Sequence, residues 1–68
     1  MSRDLVWKRT TEDGRRIFRA EPYEIVELYD PLPGGEKFQL NKQDQYRTTT
    51  KTIREAKRAA EMNRLFDI

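Results

Sequence analysis

The chain has 68 residues, room for one small domain with a compact core. It has neither cysteine nor histidine, which excludes disulfides, soft metal ligands and the usual general bases and thiol nucleophiles. Charged residues make up 38% of it, yet the formal net charge is only +2, and no apolar run approaches the roughly 20 residues that span a bilayer. The opening "MSRDLVWKRT" has no apolar signal region. These features predict a non-enzymatic, cytoplasmic domain of residues 1–68, with no membrane attachment, cofactor or metal.

In chain order, Leu5–Thr10 is rich in strand formers, and Asp13-Gly14 after it is a hairpin signal because glycine tolerates positive φ. Arg16–Ala20 reads as the second strand. Glu21-Pro22 interrupts it, since proline cannot donate to a ladder. Tyr23–Asp30 is the clearest strand, its Tyr, Ile and Val suited to a half-buried pleated surface. Within it, even spacing puts Tyr23 and Tyr29 on one face, while Glu24 and Glu27 point to opposite faces. "PLPGG" (31–35) is a turn. Glu36–Lys42 alternates Phe38 and Leu40 with polar residues, the period of a strand. "NKQDQYRTT" reads as a polar connector.

A helix begins near the threonines, with Thr49 or Thr50 as cap and Ile53 opening the apolar stripe. At helical spacing Ile53, Ala56, Ala59, Ala60, Asn63 and Phe66 share an arc of about 140°. The alanines let the axis approach a sheet closely, and Trp7, Phe18, Ile25, Phe38 and Ile53 supply core bulk. The expected fold is α+β: an antiparallel meander of three or four strands with one C-terminal helix on one face. One helix covers one face, so the other is left as a binding patch, a homodimer interface or plain surface.

Charge is segregated along the chain. Residues 1–20 carry six positive and three negative charges, residues 21–36 carry five negative and none positive, and residues 50–66 carry five positive and two negative. The helix cations Lys51, Arg54, Lys57, Arg58 and Arg64 share an arc interrupted by Glu61. Lys8, Arg9, Arg15, Arg16 and Arg19 make the first hairpin basic. Arg54 and Arg58, four apart, repel each other, a cost that a purely structural helix would not need. These ten residues are the candidate contacts for an anionic partner. Catalytic readings are weaker: the only serine is Ser2, "PLPGG" lacks the strand-to-helix setting of a phosphate cradle, and Tyr46-Arg47 lacks the cation cluster a tyrosine recombinase needs.

"TIREAKRAA" (52–60) resembles the opening of the last helix of double-stranded-RNA-binding domains, which follows three antiparallel strands. The resemblance puts Arg54 and Lys57 on phosphate-contacting positions, and Ile53 where that family carries a further lysine. The family's N-terminal helix has no counterpart here. In strand order the chain is similar to the arm-binding domains of phage integrases and to plant AP2-type domains, which read DNA with a sheet face. "VWKRTTEDGRRIFRAEPYEI" with "EAKRAAE" also looks like small phage- and prophage-encoded proteins. Two functions follow as expectations. The first is nucleic-acid binding, to DNA or RNA, through the basic helix face and first hairpin. The second is a phage-type inhibitor or adaptor that binds a host protein of the nucleic-acid or defence machinery.

Overall fold

The structure, a computed structural model, describes residues 5–66. Five strands, β1 (Lys8–Glu12), β2 (Arg15–Ala20), β3 (Tyr23–Glu27), β4 (Phe38–Lys42) and β5 (Gln45–Thr50), precede one helix, α1 (Ile53–Phe66). They form a single antiparallel sheet in the order β1-β2-β3-β4-β5, and α1 packs over β3, β4 and β5. The α+β meander is as expected, with five strands rather than three or four. The additional strand is β5, in the stretch read as a connector.

Local chemistry sets each link. Asp13 and Gly14 both have positive φ (54° and 78°), the geometry of a two-residue type I′ turn between β1 and β2. Ala20 pairs with Tyr23 around Glu21-Pro22, whose peptide bond is cis, as a type VI turn requires. Gln43 and Asp44 repeat the I′ geometry (51° and 66°) between β4 and β5 without a glycine. In the longer β3–β4 link, the Gly35 N–H donates to the Leu32 carbonyl at 2.8 Å with Gly35 at φ 91°. Thr50 belongs to β5 and Thr52 caps the helix: its Oγ1 accepts from the Glu55 N–H at 3.1 Å. This Thr-x-x-Glu start is a capping pattern.

Register fixes the two faces. Phe18, Ile25, Leu40 and Thr48 lie in one row towards α1. Thr10, Ile17, Val26, Gln39 and Thr49 form a row on the other face. The core is Phe18, Tyr23, Ile25, Phe38 and Leu40 from the sheet, with Ala56 and Ala60 from the helix. Both alanines are fully buried, so the helix backbone sits close to the sheet. Trp7 and Ile53, expected in the centre, are half-buried at its rim with Leu5 and Ala59. Phe66, expected on the buried stripe, is 64% exposed at the last position of the helix. Tyr23 is buried and donates its hydroxyl to Asn63 Oδ1 at 2.8 Å. Tyr29 does not share its face: β3 ends at Glu27, so alternation stops there, and Tyr29 is exposed with its hydroxyl on the Asp13 carbonyl. Among the described residues no helix is long and apolar enough to cross a membrane.

Candidate polyanion-binding surface

The ten candidate cations do not form one surface. Those of the first hairpin are largely neutralised by the neighbouring strand. Arg16 lies opposite Glu27, and its backbone N–H, Nε and Nη2 all donate to that carboxylate at 3.0–3.1 Å. Lys37 Nζ is 3.8 Å from the same carboxylate. The Arg16 hydrogen bonds are the main reason the Glu27 carboxyl is held at about 2, well below its ordinary 4.5. On the opposite face, Arg19 bonds Glu24 at 2.9 Å and Glu12 at 3.3 Å. The guanidinium of Arg15 lies 4.5 Å from the centre of the Tyr29 ring. A basic strand therefore pairs with an acidic one, and the charge separation read along the chain cancels across the β2–β3 ladder.

Two helix cations are also engaged. Lys57 Nζ lies 5.3 Å from the Phe18 ring centre, its stem along the flank of the core. Arg64 bonds Glu61 at 2.7 Å, and the same Glu61 accepts the Leu5 N–H at 2.9 Å. Those two contacts, that of Leu5 first, lower the Glu61 pKa. Glu61 thus ties the segment before β1 to the helix.

Arg54 and Arg58 remain on the outer side of α1 and Lys51, expected on the same helical ridge, lies in the link before the helix; all three are exposed and outside every ion pair among the described residues. Thr52 is the cap, so Arg54 is the second helical residue and Lys51 lies just before the helix. Helix dipoles favour acids at that end, so Lys51 and Arg54 sit against the field, at a cost of a few tenths of a kcal/mol each, while Arg58 lies beyond the first turn. The surface continues sideways. α1 packs over β3, β4 and β5, yet Phe18 and Ala20 of β2 are also buried on its side of the sheet, with Leu5 and Trp7 packed against the same core. There Arg9 lies opposite Phe18, the residue whose ring meets Lys57. Arg16 and Lys37 both approach the Phe38 ring at 5.6 Å. The result is a flank on which cations meet two buried rings, Lys57 at Phe18 and Arg16 and Lys37 at Phe38, with Arg9 opposite Phe18 in the ladder. Lys8 is exposed but points to the opposite face, with Arg19.

Lys37 was missed by sequence reasoning; its place depends on Lys37 N–H donating to the Thr50 carbonyl across a ladder not foreseen. The exposed Leu65 and Met62 were also missed. Together with Phe66 they extend the outer helix face beyond Arg58, as an apolar end to the basic ridge. No family model, curated protein or solved structure matches the chain.

Proposed function

We propose that the protein is a nucleic-acid-binding module that grips phosphates with Lys51 just before α1 and Arg54 and Arg58 on its outer side, extended by Lys57 and Arg9 on the adjoining flank. One observation carries this reading: Lys51, Arg54 and Arg58 are exposed and outside every ion pair among the described residues, and the first two stand at the helix end where a cation is least favourable for folding. An anionic partner would repay that cost, since phosphate contacts release counterions and dominate affinity. The first hairpin, apart from Arg9, drops out of the proposed contact set because Glu12, Glu24, Glu27 and Tyr29 already occupy Arg15, Arg16 and Arg19, and Lys8 points to the opposite face.

Titration with duplex DNA, duplex RNA and single strands at two salt concentrations tests it. The double variant Arg54→Glu, Arg58→Glu should stay folded, with Tm equal to or slightly above the parent's because an acid now stands at the helix start. Its affinity should fall, and its salt slope should shrink by about 0.9 per lost duplex contact. Unchanged binding by the folded double variant would remove the helix as the contact surface.

A second reading, a protein-binding inhibitor or adaptor, is favoured by exposed Met62, Leu65 and Phe66 at the end of the same ridge. Absence of any nucleic-acid binding by the parent at low salt would select it.

A further inference from the structure

We infer that β1 pairs edge to edge with β1 of a second copy, making a two-fold dimer with a continuous ten-stranded sheet. This stands on strand geometry and does not require the phosphate reading. The sheet has two outer edges. That of β5 is interrupted: Leu40 pairs with Thr48 but Asn41 with Tyr46, so Arg47 bulges, a common way of blunting an edge. That of β1 is regular over all five residues, every one of them exposed.

The turn geometry tells which backbone groups face out. In a two-residue I′ hairpin the closing pair, Glu12 and Arg15, exchanges hydrogen bonds. Alternation then turns the N–H and C=O of Glu12, Thr10 and Lys8 towards β2, and those of Arg9 and Thr11 outward. A second β1 must therefore bond to Arg9 and Thr11. Three antiparallel registers satisfy this. One sets Arg9 against Arg9, and another leaves Lys8 without an acid. The third, centred on Thr10, pairs Arg9 with Thr11 of the second copy and Thr10 with itself. It also puts Lys8 opposite Glu12 of the second copy, twice, on the face away from α1, where the half-exposed Glu12 would serve Lys8 as well as the Arg19 of its own chain at 3.3 Å. The sequence "KRTTE" is thus its own complement in charge and in hydrogen bonding. This register would also bring the two Arg9 side chains to the dyad on the helix side, joining the flanks of both copies into one basic surface.

The chain has no cysteine, so single-cysteine variants of the full chain report the register directly. Thr10→Cys would stand opposite itself in a non-hydrogen-bonded pair, about 4.5 Å between Cα atoms, within disulfide reach. Thr11→Cys would be separated from its mate by about 8 Å, beyond that reach. Mild oxidation should crosslink the first variant and not the second. In sedimentation equilibrium the parent should dimerise reversibly. K8E and E12K, checked as folded by circular dichroism, should each weaken the dimer tenfold or more, and the swap K8E/E12K should restore it. A parent that is monomeric up to about 1 mM, equal crosslinking of the two cysteine variants, or a dimer indifferent to K8E would each overturn the inference.

Discussion

The two ends of the sheet are built on different physics. From β3 to β5 the fold rests on burial: Ile25, Leu40, Ala56 and Ala60 are essentially inaccessible, and α1 seals them. The β1–β2 end has Ile17, Phe18 and Ala20 buried on β2, but all of β1 is exposed. β2 is held by Phe18 in the shared core, and β1 by the ladder, with the Arg16–Glu27 and Arg19 ion pairs and the Arg15–Tyr29 stack across this end. One end thus supplies most of the stability, and the other presents backbone and charge to partners. The difference shows how a chain this small divides those tasks along one sheet.

The widest contrast is between Leu40→Ala and Thr10→Ala. The first deletes a fully buried side chain from the sealed end and should cost about 3–5 kcal/mol by denaturant unfolding. The second touches an exposed β1 residue and should stay within about 0.5 kcal/mol. Equal costs would abolish the division. Glu27→Gln tests the seam between the ends and should cost about 1–2 kcal/mol at neutral pH. Because the Glu27 carboxyl is depressed to about 2 in the folded state, its contribution is present above pH 4.5 and lost as pH falls towards 2. The variant should therefore lose stability less steeply than the parent across that window in acid titrations. Gly14→Val is confined to the β1–β2 turn. A Cβ there meets nothing within 4 Å, so the cost is backbone strain alone, about 1–2 kcal/mol, read as a lower Tm.

Much of this architecture was legible in the chain. Tyr23, Ile25, Phe38 and Leu40 announced their strands by period, Asp13-Gly14 its turn, and Ala56 and Ala60 the buried stripe. The fifth strand was hidden because Gln45–Thr50 is polar, carries a bulge, and follows a turn made by Gln43 and Asp44 without glycine. Its threonines suit an edge strand as well as a helix cap. On the functional side, exposure of Arg54 and Arg58 followed from helical phase, whereas Lys51 is exposed in the link before the helix. The neutralisation of Arg16 and Arg19 could not be read, because it depends on the register that sets them against Glu27 and Glu24. Lys57 and Arg64 flank that ridge in helical phase, and there each has a nearer partner, Phe18 and Glu61.

The contact between the Leu5 N–H and Glu61 joins residues 56 apart in the chain. The sheet follows sequence order throughout, so each ladder closes over a short loop and the helix follows directly. Short closures cost little entropy and favour rapid assembly, whereas the Leu5–Glu61 clasp requires nearly the whole chain to be in place. It belongs on the native side of the folding barrier. Glu61→Ala, which removes the acceptor, should accordingly accelerate unfolding in stopped-flow measurements while leaving the folding rate almost unchanged, making this clasp a brake on opening rather than a guide to folding.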